Sequence, residues 1–173
     1  DALTLLRETE TGGEPPRIGR RVVVYGGGNT AMDAARTAKR LGAEETVIVY
    51  RRAREQMPAH AFELEEALEE GVVVRWLTTI TGGTADGFQV ERMRLDEQGW
   101  PQPTGEFDTI AADTLVLALG QSVDLGVLAR VPGVETTKDG RIAVGPDLMT
   151  GHPGIFCGGD MVPSERTITV AVG

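Results

Sequence analysis

Between Tyr25 and Ala31 the chain reads Tyr-Gly-Gly-Gly-Asn-Thr-Ala. The spacing G-x-G-x-x-A suits one task, bringing bare backbone up to a diphosphate. Gly26 permits a tight turn, Gly28 lets main chain approach without a Cβ in the way, and Ala31 is small enough for a helix to pack closely on a strand. A helix opening at Asn29 and Thr30 would aim its unpaired N–H groups and positive dipole end at the anion. The plain alternative is a glycine-rich turn that binds nothing.

A second cluster follows at Val49-Tyr50-Arg51-Arg52-Ala53-Arg54. In units that bind NAD, an Asp or Glu about 20 residues beyond the glycines holds the ribose 2′-hydroxyl. Here guanidinium groups stand where that carboxylate would be, and arginine contacts phosphate through charged, bidentate hydrogen bonds. The reading is therefore NADP rather than NAD, with Tyr50, Arg51 and Arg52 joining Gly26, Gly27, Gly28, Asn29, Thr30 and Ala31 as cofactor-binding candidates. A solvated basic loop is the competing explanation. No catalytic side chain or metal ligand set is predicted. Cys157 is the one cysteine and reads as a buried, inert thiol. His60 and His152 have no partner pattern, and Glu63, Glu65, Glu66, Glu69 and Glu70 read as a solvated helix face.

The elements that must position these residues are legible. Arg21–Tyr25 and Thr46–Tyr50 are short apolar runs of the buried-strand kind, and 29–41 between them is rich in alanine and closed by Gly42. A second helix is expected over Pro58–Glu70 and a third strand over Val72–Leu77. This β-α-β-α-β alternation predicts a parallel sheet covered by helices, a Rossmann-like α/β unit. The turn-rich stretch 78–112 predicts an antiparallel meander. Thr114–Leu119 is a further buried strand ending at Gly120, and a short strand is expected near Ile142–Val144. Residues 1–19 read as a helix and linker, 20–120 as the dinucleotide domain and 121–173 as a separate portion.

Bulk properties narrow the classes. With 17 basic and 26 acidic residues the formal charge is −9, which argues against nucleic acid. Composition at 40% hydrophobic and 25% charged is that of a globular chain. No apolar run is long enough for a membrane span and no signal peptide is evident, so a cytoplasmic location is expected. The chain starts without Met and stops just after the apolar run Thr167–Val172, which predicts a piece of a longer protein.

Gly26–Asp33 followed by Tyr50-Arg51-Arg52 and Met57-Pro58-Ala59 resembles the NADPH domain of the glutamate synthase small (beta) subunit family. That family lies within the pyridine nucleotide-disulfide oxidoreductase superfamily. Leu117–Gln121, Pro153–Asp160 and Arg166–Thr169 carry the same resemblance, which runs from about residue 18 to the end. It implies an NADPH domain inserted into an FAD domain, with 121–173 as the C-terminal fragment of that second Rossmann-like domain. It further implies that Gly120, Gly159 and Asp160 contact FAD or lie beside it, with Thr167 and Ile168 at a helix start facing the flavin. A second G-x-G-x-x-G for the ADP half of FAD is absent, so this stretch alone is not expected to hold FAD firmly.

The functional expectation is hydride transfer from NADPH to FAD, with electrons passing to an iron–sulfur or glutamate synthase large-subunit-type partner. Such chemistry asks the protein for orientation, not for a general base. The alternative is a non-catalytic NADP(H)-binding module or sensor.

Overall fold

A computed structural model describes residues 1–11, 16–120, 124–128 and 130–164. The chain forms two compact units, Asp1–Gly120 and Gln121–Gly173.

The first unit is built on a four-stranded sheet of order β3-β2-β1-β7. Its strands are β1 (Arg21–Gly26), β2 (Glu45–Val49), β3 (Val73–Arg75) and β7 (Thr114–Ala118), and every pairing among them is parallel. The period-2 alternation of β1 assigns its two faces. Val22 and Val24 enter a core with the helices, whereas Val23 and Tyr25 face a second core. On the helical side, α2 (Asn29–Arg40) buries Ala31, Met32, Ala34, Ala35 and Ala38 completely. Methyl-sized side chains let its backbone approach the sheet closely, with Met32 and Ile48 filling the remaining volume. The helix α1 (Ala2–Glu10) is capped by Asp1, whose carboxylate accepts the Thr4 N–H. It adds Ala2 and Leu5 to the same core.

The opposite face is covered by the antiparallel meander β4 (Thr78–Thr84), β5 (Gly87–Leu95) and β6 (Pro101–Ala111). Val90, Ile110 and Ala112 meet Val23 and Val49 there. The unit thus has three layers, helices, parallel sheet and antiparallel sheet.

Three local expectations for this unit change. The helix expected from Pro58 begins at Ala61 (α3, Ala61–Glu69). His60 is extended at φ −62° and ψ 140° and forms the N-cap; its N–H donates to Asn29 Oδ1 at 2.9 Å, and that of Ala59 to Gly27 O at 3.1 Å. The third strand is cut to Val73–Arg75, since Leu77 adopts φ 48° and its N–H goes to Arg52 O. The glutamate run is not simply solvated. Glu66 and Glu70 form ion pairs with Arg36 of α2 at 2.6 and 2.7 Å, and Glu70 also meets Arg40 at 2.8 Å.

The second unit is mostly turns around a small core of Ile142, Cys157 and Val162. The strand expected at Ile142–Val144 is reduced to one bridge, Thr136 opposite Ile142, because the chain doubles back at Asp139-Gly140 and the Ile142 N–H is donated to Met161 O. Cys157 is a free, buried thiol. Among the described residues no helix is long and apolar enough to cross a membrane.

Candidate nucleotide-binding site

The glycine turn lies at the C-terminal edge of the parallel sheet, where β1 neighbours β2 on one side and β7 on the other. This is the point where the connections diverge, and open α/β sheets bind ligands in that crevice. Its three glycines are needed for different reasons. Gly26 has φ 151° and sits opposite Ala118, whose carbonyl oxygen fills the space a Cβ would require. At Gly27 the obstacle is the ring of Tyr50. Around Gly28 a Cβ would meet nothing within 4 Å.

Gly28 is the N-cap of α2, and no side chain caps that end. Its carbonyl accepts from Ala31 and Met32 at 2.8 and 3.3 Å. The first N–H groups of a helix have no partner within it, and this applies to the opening residues Asn29 and Thr30. Ala31, the third small residue of the motif, is wholly buried between helix and sheet. Asn29 has a structural duty besides: its side-chain oxygen accepts the His60 N–H at 2.9 Å. Together with the bond from Ala59 N–H to Gly27 O, this ties Met57-Pro58-Ala59 alongside the glycine turn.

Tyr50 is the first residue beyond β2. Its ring lies against Gly27 and edge-on to Trp76 at 6.2 Å, while its hydroxyl donates to Gln56 O at 2.7 Å. Burial pushes the phenol above its ordinary range, opposed by the nearby charges of Arg52 and Arg51. Tyr50 is therefore a prop between the glycine turn and the arginine loop. Arg51 is exposed. The Arg52 guanidinium lies 5.0 Å from the ring centroid of Trp100. Among the described residues, neither arginine forms an ion pair with a carboxylate. A dianionic phosphate would thus meet guanidinium groups not already neutralised.

Gly120 follows β7 at the same sheet edge, two residues past the partner of Gly26. Gly159 and Asp160 lie in the second unit, in a single 3-10 turn, Gly159–Met161. The Gly159 carbonyl accepts from Val162 N–H and from the Ser164 hydroxyl, and Asp160 is exposed. Thr167 and Ile168 lie outside the described residues. The fold thus assembles Gly26–Ala31, Tyr50–Arg52 and Gly120 on one edge of one unit.

Sequence reasoning missed the residues that brace this edge: Ala118 against Gly26, Gln56 under Tyr50, and Trp100 against Arg52. Trp100 lies in the turn-rich stretch 78–112, but nothing local says which loop it folds onto.

A family model for pyridine nucleotide-disulphide oxidoreductases matches residues 3–173, and the chain belongs to that family. It is 43% identical over 171 residues to the beta subunit of the NADP(+)-dependent formate dehydrogenase of Moorella thermoacetica, covering 91% of this chain and 24% of the relative. To the NADPH-type glutamate synthase small chain of Halomonas elongata it is 35% identical over 168 residues, covering 89% and 36%. The chain therefore spans only about a quarter to a third of these relatives' lengths. In fold it resembles the thioredoxin reductase of T. acidophilum, with a TM-score of 0.72 at 20% identity, over 88% of this chain and 48% of that one.

Proposed function

We propose that this chain supplies the NADPH-binding part of a flavin-dependent oxidoreductase. Residues 20–120 would form the nucleotide domain and 121–173 the C-terminal part of a divided FAD domain. When bound, NADPH supplies a hydride and FAD accepts it. The protein's task is to hold and orient.

The observation that carries this reading is the uncapped start of α2 at Gly28, open on its outer side and set beside un-neutralised Arg51 and Arg52. Backbone N–H groups at Gly28–Thr30 would bind the diphosphate. Arg51 and Arg52 would bind the 2′-phosphate. Tyr50 and the Met57–His60 strap hold the turn in shape before a ligand arrives, reducing what binding must order. In the second unit the exposed Asp160 carboxylate is of a kind that would accept a hydrogen bond from a flavin's ribityl chain. The names of the formate dehydrogenase and glutamate synthase relatives, both NADP-linked, support the cofactor. Their names as a beta subunit and a small chain also favour a partner subunit as the onward electron acceptor, which we take to be an iron–sulfur or large-subunit-type protein.

The test is titration of the full-length protein with NADPH and NADH while following flavin absorbance. Bleaching of a flavin band by NADPH, at lower concentration than by NADH, supports the proposal. A protein that binds NADPH but carries no flavin would be a binding module instead, and one that binds neither nucleotide overturns the site.

A further inference from the structure

Arg52 is held at both ends. Its backbone carbonyl accepts the Leu77 N–H at 3.1 Å, and its guanidinium lies over the indole of Trp100. Trp100 stands at the base of the hairpin between β5 and β6, and it is 58% exposed. A large apolar ring left that open contributes little to a core, and it lies against a cation.

The hairpin itself is firmly set. The Asp96 carboxylate accepts the backbone N–H groups of Gln98 and Trp100 at 3.0 and 2.8 Å and the Gln102 amide at 2.9 Å. The Asp96 N–H donates to Trp100 O at 2.9 Å. From the other side, Gln56 Nε2 donates to Gly99 O at 2.8 Å, fastening the hairpin to the loop that carries Arg51 and Arg52. The hairpin end is thus a rigid piece bound to the arginine loop at two points, one amide hydrogen bond and one cation–π contact.

Resting on the 2′-phosphate reading above, we propose that Trp100 is a positioning residue for nucleotide discrimination, presenting the Arg52 guanidinium to the adenosine 2′-phosphate. A cation–π contact suits this role because an aromatic ring holds the guanidinium without neutralising its charge, which stays available to phosphate. A guanidinium already held against a ring has also lost freedom that a loose one would lose on binding. The antiparallel sheet, which only covers the parallel sheet elsewhere, would here take part in recognition.

The test needs neither flavin nor turnover. Binding of adenosine 2′,5′-bisphosphate and of ADP to the full-length protein is measured by calorimetry, for wild type, Trp100→Ala, Trp100→Phe, Arg52→Ala and the double variant Trp100→Ala/Arg52→Ala. Trp100→Ala is expected to weaken the bisphosphate about two- to fivefold, the worth of an exposed cation–π contact, and to leave ADP unchanged. Trp100→Phe should recover part of that loss. In the Arg52→Ala background, removing Trp100 should cost nothing further. Equal weakening of both ligands, or a loss that persists without Arg52, would overturn the role of Trp100 while leaving Arg52 in place. A wild-type protein that does not prefer the bisphosphate overturns the phosphate site itself, and the role of Trp100 with it.

Discussion

The ring of Tyr50 occupies the space that a Cβ on Gly27 would need. Two segments far apart in sequence are thereby matched in shape: the glycine turn after β1 and the arginine loop after β2. Gly27→Ala must displace a ring that is edge-on to Trp76 and bonded through its hydroxyl to Gln56. The expected cost is about 1–3 kcal/mol, as for overpacking elsewhere, read from chemical or thermal unfolding. Tyr50→Phe keeps the ring and loses only the hydroxyl, for about 1 kcal/mol.

Gly26 and Gly28 should respond in opposite ways. Alanine at Gly26 collides with the Ala118 carbonyl and needs φ 151°, so Gly26→Ala is expected to break the β1–β7 pairing and lower the yield of folded protein. Gly28 has φ −89° and open space around it. Gly28→Ala should lose at most about 1 kcal/mol of stability, the N-cap difference between glycine and alanine. It should nonetheless weaken NADPH and NADH alike, because the new methyl projects into the path of the diphosphate. Circular dichroism and nucleotide titration on both variants separate the two effects.

Replacing Arg51 and Arg52 together by alanine should weaken NADPH far more than NADH. Each charge-assisted phosphate contact is worth about 1.5–3 kcal/mol, so dissociation constants for the two cofactors should converge. An equal loss for both would show that these arginines do not read the 2′-phosphate.

Acid stability should depend on Glu70. Hydrogen bonds from Arg36, then Arg40, hold its carboxyl below the ordinary range. An unfolded glutamate takes up its proton near pH 4.3, before the folded one does as the pH falls. The stabilisation is therefore complete above about pH 5 and is lost as the pH drops through the unfolded and then the folded value. Glu70→Gln is expected to cost about 1 kcal/mol at neutral pH, a figure suited to a partly exposed ion-pair network. Urea midpoints of the two proteins should approach each other below pH 4. A constant gap from pH 7 to pH 3 would contradict the assignment.

Much of the first unit was legible because its signals are local. Val22–Val24 and Val47–Val49 announced buried strands, alanines at Ala31, Ala34, Ala35 and Ala38 announced a closely packed helix, and the turn chemistry of 78–112 announced the meander. Boundaries failed where a local signal was overruled by a distant partner. Pro58 looked like a helix start, but His60 is held extended at φ −62° and ψ 140°, with its N–H on the Asn29 side chain, so the helix opens after it. Glu66 and Glu70 looked solvated, since nothing within their own helix says that Arg36 and Arg40 lie across from them.

By itself the sequence determined the chemistry on offer: bare backbone at a strand-to-helix corner, guanidinium groups after the next strand, and small residues that let helix and sheet meet. These follow from side-chain size and backbone freedom over a few consecutive residues. Only the tertiary structure decided that Ala118 closes on Gly26, that Tyr50 leans on Gly27, and that Trp100 reaches Arg52. Such contacts depend on strand order and on where long loops close. Those are set by burying both faces of one sheet at once, a condition that belongs to the whole unit and to no short stretch of it.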